Sequence, residues 1–506
     1  MINDNKSRKK RNQSIRMRRT TVGVLMIGVF FVFITVFILS QGDDTDKEED
    51  MVQTGGVQAG VDKETGSEGN QKEGIPEISV PQTVEPTPEP KEDMQAKQRR
   101  EETIARAELL AAAYDYDAAT DLIRTIEGYE TDTALQEKIT AYEAEKASCL
   151  PVNMDEVTHV FYHTLVVDPE RAFANQDKDP QAVGNNQWMT TVSEFLKITE
   201  EMYDRGYVIV GIHDLIDVTT DENGKTVYKP AQIMLPPGKR AYVLSQDDLC
   251  YYHSYDNYGY AAKMVLDENG KPVCEYIQAD GTRVTGAYDV VPLLDEFIEE
   301  HPDASYRGAK GIIALTGYNG ILGYRTDSSY LDINGDLNED KKAWLRENPD
   351  FDIEKERAEA KKVAEALKED GWEFASHTWG HIRIADSSLE RLMTDTKKWR
   401  ENVEPLVGPT DTIIFAHGQD LGKWGGYDES EAKYKYLREQ GYDVFCNVDS
   451  NLYRTWFGTD YLRQGRRNLD VYRIYKNMIG MEDNVSDLFD AAEVIDPLRP
   501  PVPLLP

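Results

Sequence analysis

From residue 151 onward the chain reads as an α/β protein with a parallel barrel. Short β-rich runs recur along it: THVFYHTLVV, GYVIVGI, RAYVLSQ, KGIIALTG, WEFASH, DTIIFAH and YDVFCNV. Helical stretches such as VSEFLKITEEMYDRG and EKERAEAKKVAEALKEDG lie between several of them. Such alternation calls for a parallel sheet covered by helices, and roughly seven repeats favour closure into a barrel over an open sheet. The chain is also long enough, at 506 residues with 40% hydrophobic, to bury at least one large core. That composition excludes a wholly disordered chain, a polytopic membrane protein and a small disulfide-stapled module.

The elements before the barrel follow in order. Residues 1–20 hold eight Lys/Arg and one Asp, a charge of +7, so the remainder carries −41 of a total of −34. A body that acidic is repelled by phosphate backbones, which argues against nucleic-acid binding. Residues 21–39, TVGVLMIGVFFVFITVFIL, contain no charge. As a helix this run spans about 29 Å, enough for a bilayer core. It is longer than the apolar region of a cleaved signal peptide and lacks a small-residue exit, so it reads as an uncleaved transmembrane anchor. The positive flank predicts a cytoplasmic N-terminus and an extracellular body at the cell membrane. Residues 41–97 are acidic and Pro-rich and read as a disordered linker. Residues 98–148 have apolar positions at helical spacing and a turn near Tyr114-Asp115-Tyr116, which predicts a tetratricopeptide-like helical hairpin. One hairpin cannot stack like a solenoid, so a structural stalk is expected. The domain proper is expected over 151–490, followed by a Pro-rich, extended tail over 491–506. Four widely spaced cysteines form no CxxC and leave one or two disulfides open without requiring any.

Reactive groups in such barrels sit where a strand runs out into its following loop. Two strand ends here carry suitable residues. Ala241-Tyr242-Val243-Leu244-Ser245-Gln246 ends in Asp247-Asp248, where one carboxylate can ligate a cation while the other stays free as a base. Phe374-Ala375-Ser376 runs into His377-Thr378-Trp379-Gly380-His381, whose two imidazoles lie four apart in a chain with only eight histidines. Asp248, His377 and His381 together would make an O,N,N triad with open positions, the set expected of a catalytic zinc-like ion. Asp247 is placed beside it to take a proton.

With these two motifs the chain resembles the polysaccharide deacetylase family, carbohydrate esterase family four. Ser245-Gln246-Asp247-Asp248-Leu249 is similar to that family's Thr-Phe-Asp-Asp-Gly strand end, and His377-Thr378-Trp379-Gly380-His381 matches its His-[Ser/Thr]-x-x-His motif. Val160-Phe161-Tyr162-His163 resembles the family's entry strand, and the likeness extends over about residues 157–475. The resemblance implies a distorted (β/α)7 barrel, with Asp247 as base and Asp248, His377 and His381 holding one divalent ion. Zinc is the first expectation, with cobalt, nickel and manganese open. It also implies an acetylated polysaccharide as partner, such as peptidoglycan, a GlcNAc polymer or acetylxylan, losing N- or O-acetyl groups.

The departures bear on the acid. Phe415-Ala416-His417-Gly418 occupies the place of the third motif, with Ala416 and His417 for Pro and Tyr. The family's late Leu-x-His acid has no counterpart, because no His follows His417. His417 is the nearest candidate acid. A catalytically inactive, glycan-binding barrel is therefore the alternative, with another metal-dependent amidohydrolase behind it.

Several residues take plainer expectations. Asp332-Ile333-Asn334-Gly335 reads as an Asx-rich turn, since Leu337 and Ala343 break a calcium loop. Cys250 reads as a structural thiol and His163 as a core or rim histidine. Tyr251-Tyr252-His253-Ser254-Tyr255 is either a sugar-stacking loop or rim packing. Arg466 and Arg467 read as surface charge, with a pairing of either to Asp247 as the alternative.

Overall fold

The computed structural model describes residues 91–335, 337–422, 425–448 and 454–505. The expected anchor at 21–39 and nearly all of the linker lie outside them. No helix among the described residues is long and apolar enough to cross a membrane.

Helix α1 (Lys91–Ala112) precedes α2 (Tyr116–Ile123) and α3 (Thr133–Ser148). Asp115 and Asp132 begin α2 and α3 by accepting the amides of Ala118 and of Ala134 and Leu135, which satisfies N–H groups that a helix start leaves open. Ala107, Ala111 and Tyr114 belong to the same buried cluster as Val208, Ile212 and Tyr306 of the barrel. Tyr114 donates to the Asp303 carbonyl at 2.6 Å and stacks on Tyr306. The helical segment is thus docked on the domain.

Seven parallel strands close the barrel. In chain order the strands are β1 (Thr158–Tyr162), β2 (Tyr207–Ile209), β3 (Arg240–Asp247), β4 (Ile312–Leu315), β5 (Glu373–Ser376), β6 (Thr412–Ile414), β7 (Val444–Val448) and β8 (Leu462–Asn468). The ring runs β1-β3-β4-β5-β6-β7-β8 and returns to β1. Two details differ from the expected set. The run GYVIVGI forms β2, which pairs only with the first half of β3, Tyr207 opposite Arg240 and Ile209 opposite Tyr242. On the same edge β4 takes the second half, Ile312 opposite Ser245 and Ala314 opposite Asp247. So β2 is a wedge at the barrel floor, outside the closed ring. The seventh ring member is β8, LRQGRRN, whose polar composition gives no strand signal.

The covering helices include α4 (Val192–Asp204), α5 (Val290–Glu300), α6 (Ile353–Glu369), α7 (Leu389–Asn402) and α8 (Val471–Met478). In α6 the buried positions are Ile353, Ala360, Val363, Ala364 and Leu367, one stripe at helical spacing. Each of its large aliphatic side chains adds about 1.5–3 kcal/mol of burial. The inserted segment after the Asp pair is a three-stranded antiparallel meander. Asp332 accepts the Asn334 amide at 3.1 Å, which makes the expected Asx turn. The tail returns to the domain, where Arg499 forms a buried pair with Glu194 at 2.7 Å. All four cysteines are buried and unpaired.

At the strand starts, His213 bridges two strands: Nδ1 lies 2.5 Å from Glu373 and Nε2 3.0 Å from Asp411. Burial alone would lower its pKa, but Glu373 and then Asp411 hold it well above the usual imidazole value. A raised folded-state pKa means the contribution is complete below the unfolded value of about 6.5 and is lost as pH rises through the folded one. The stability advantage of wild type over His213→Gln, read as a difference in melting midpoint, should therefore be largest near pH 6 and shrink as pH rises. A difference that stays constant from pH 6 to 10 would contradict the clamp.

Candidate metal centre

The site residues gather at one end of the barrel because its parallel strands all run out there. From Ala241 onward β3 is buried, and the Asp248 amide still pairs with the Ala314 carbonyl at 3.0 Å. Asp248 then turns with φ +60°, so the chain leaves the strand between two adjacent carboxylates. Thr378 (φ +63°), His381 (+50°) and His417 (+58°) also occupy the left-handed region. Such backbone is costly for non-glycine residues, a β-branched Thr above all, and clusters where a site over-determines it.

Asp248, His377 and His381 each offer a ligand atom, all within 4.8 Å of one another. His377 is buried, and its Nδ1 donates to the Ile414 carbonyl at 2.8 Å, which leaves Nε2 as the free nitrogen. His381 Nε2 lies 3.7 Å from Asp248 Oδ2. Burial, only partly offset by Asp248, keeps His381 below the usual imidazole value, the neutral form a ligand needs. The donor set therefore fits a divalent cation. The turn between the histidines is held by Asp395 on α7, which accepts the Trp379 amide at 2.7 Å and the Gly380 amide at 2.8 Å. Gly317 passes beneath it, where an added Cβ would come within 2.5 Å of the Trp379 ring.

Asp247 is not a member of the triad. Arg466 grips it from both sides, Nη1 to Oδ1 at 2.7 Å and Nη2 to Oδ2 at 2.9 Å. Burial alone would raise the Asp247 pKa, but Arg466 and then His377 hold it below the ordinary carboxylate range. Asp248 is likewise lowered against its burial, by His381, His377 and His163. The expectation of surface charge at Arg466 and Arg467 is thus corrected: both are fully buried. Side chains alternate along β8, so Arg466 faces Asp247 while Arg467 pairs with Asp487 at 2.7 Å. Below this pair the buried His159 joins Ser245 at 2.9 Å and Gln464 at 3.0 Å.

His417 lies at the rim, exposed, its ring 4.2 Å from that of His381. Burial and then His381 lower its pKa. His163 ends β1, half-buried, and contributes to the lowering of both aspartates. Cys250 is buried, as a structural thiol should be. Within the aromatic run, Tyr251 turns inward to Asp289 at 2.8 Å, and Tyr252 turns to Asp248. Sequence reasoning gave no role to Asp395, whose partners lie on the turn before its helix, or to Asp289 and His159, whose partners lie on more distant elements.

Fold and site together define a class: a closed parallel α/β barrel with a carboxylate–imidazole triad and an arginine-bound carboxylate at its strand ends. No protein-family model and no curated protein matches the chain. Among solved structures, a Streptococcus pyogenes deacetylase, PplD, in complex with acetate is similar over 63% of this chain and 93% of its own, at 14% identity and a TM-score of 0.31. At that score the likeness carries no argument about function.

Proposed function

We propose that the chain is a membrane-anchored, metal-dependent hydrolase that removes N- or O-acetyl groups from an extracellular polysaccharide. The observation that carries this reading is Asp247, a carboxylate kept ionised by Arg466 directly beside the Asp248–His377–His381 donor set. A binding protein has no need of an ionised, non-ligating carboxylate there. Asp248, His377 and His381 would hold one divalent ion, zinc first, which supplies polarisation of a carbonyl and acidification of water. Asp247 accepts the proton of the attacking water. The acetyl C–N or C–O bond breaks, acetate leaves, and the departing amine or alcohol takes a proton, for which His417 at the rim is the candidate donor. The second reading, an inactive glycan-binding barrel, is favoured by the lack of any His after His417.

The test is acetate release by the full-length chain across peptidoglycan, GlcNAc polymers and acetylxylan. Release that stops with chelator and returns with zinc supports the hydrolase. Binding of a glycan without release supports the inactive reading. Intact protoplasts bearing the chain should release acetate from added glycan, and external protease should abolish it. Activity that survives protease would refute the topology.

A further inference from the structure

We propose that Tyr252 is a positioning residue for Asp248, set by a one-way hydrogen-bond relay from Thr316 and braced by the segment that follows β4. This role rests on the metal centre proposed above. The two oxygens of Asp248 are divided between different neighbours. Tyr252 Oη donates to Oδ1 at 2.6 Å, while Oδ2 is the oxygen facing His381. A phenol has a single proton, and a carboxylate can only accept. The other contact of Tyr252 Oη, Thr316 Oγ1 at 2.6 Å, is therefore one in which Thr316 donates. The Thr316 oxygen is then free to accept from the Cys250 thiol at 3.3 Å. The Thr316 and Tyr252 protons thus both point toward Asp248, while the Cys250 thiol has the Thr316 carbonyl at 3.7 Å as a second acceptor. Rotating the carboxylate away would leave the Tyr252 hydroxyl without its acceptor, since its other neighbour, the buried Thr316, already donates to it.

The ring of Tyr252 is fixed as well. It stacks on Tyr318, centroids 5.3 Å apart and planes 18° apart. Tyr318 meets Trp379 edge-on at 6.4 Å, and the Trp379 indole N–H donates to Asp327 at 2.8 Å. Trp379 sits between the two histidines in sequence. The segment containing Tyr318 and Asp327 therefore touches the loop that bears Asp248 and also the turn that bears His377 and His381. Hydrogen bonds behind a ligand orient it, and losing one typically weakens metal affinity by about 10–100-fold.

The experiment is a zinc titration of the full-length chain in detergent against a chromophoric chelator. Tyr252→Phe should weaken zinc by about 10–100-fold, with a metal-free melting midpoint close to that of wild type. Thr316→Val breaks the relay one step further back and should weaken zinc in the same direction by less; it reads the same relay should Tyr252→Phe fail to fold. Wild-type zinc affinity in both variants overturns the positioning role and leaves the metal centre standing. A wild-type chain that takes up no zinc overturns the metal centre, and the role of Tyr252 with it.

Discussion

Asp247→Asn should retain the ion and lose turnover by about 10²–10⁴-fold, the usual worth of a positioned acid–base group. The amide is nearly isosteric and lies outside the donor set, so metal content is expected to match wild type. Asp248→Asn, His377→Ala and His381→Ala should instead lose metal and activity together, since each removes a ligand. Elemental analysis beside acetate release separates the two outcomes. The buried Arg466 adds a second consequence. Without the Asp247 charge it has no counter-ion among the described residues, and breaking a buried pair from one side costs about 3–5 kcal/mol. Asp247→Asn should therefore also melt earlier, and its activity must be read well below that midpoint. Acetate release at the wild-type rate would show that Asp247 is not the base.

Arg499→Met should destabilise the domain by a comparable 3–5 kcal/mol or so. Arg499 donates through Nε and Nη2 to the two oxygens of Glu194, each at 2.7 Å, and neither side chain reaches solvent. Glu194 also accepts the amides of Thr191 and Asp496. Removing the guanidinium leaves a carboxylate buried at the start of α4. Replacing both partners by apolar residues should recover only part of the loss, because it removes the orphaned charge but leaves the Thr191 and Asp496 amides without their acceptor. Chemical denaturation reads both variants. A single variant that unfolds with wild type would mean that the Arg499–Glu194 pair contributes nothing.

Sequence patterning located most of the barrel because buried parallel strands are nearly continuous apolar runs. It failed at β8 for the same reason. Arg463, Arg466 and Arg467 look solvated until Asp420, Asp247 and Asp487 are known to face them. It misplaced β2 because apolar character does not say which half of a neighbouring strand is free. At the site, the triad was legible from local spacing, two aspartates in a row and two histidines four apart. Arg466 lies 219 positions from Asp247 and Asp395 lies on the following helix, so no short window contains either relation. Tyr252 stood in view as one aromatic among several. Only its hydroxyl direction separates a ligand's support from a sugar platform.

The four unpaired cysteines carry a consequence for biogenesis. Burial pushes their thiols up, those of Cys250 and Cys446 to about 12, so they stay protonated and poor in exchange chemistry. The native covalent state is then that of the newly made polypeptide. The fold as described closes without a disulfide, so added reductant should leave its melting midpoint unchanged.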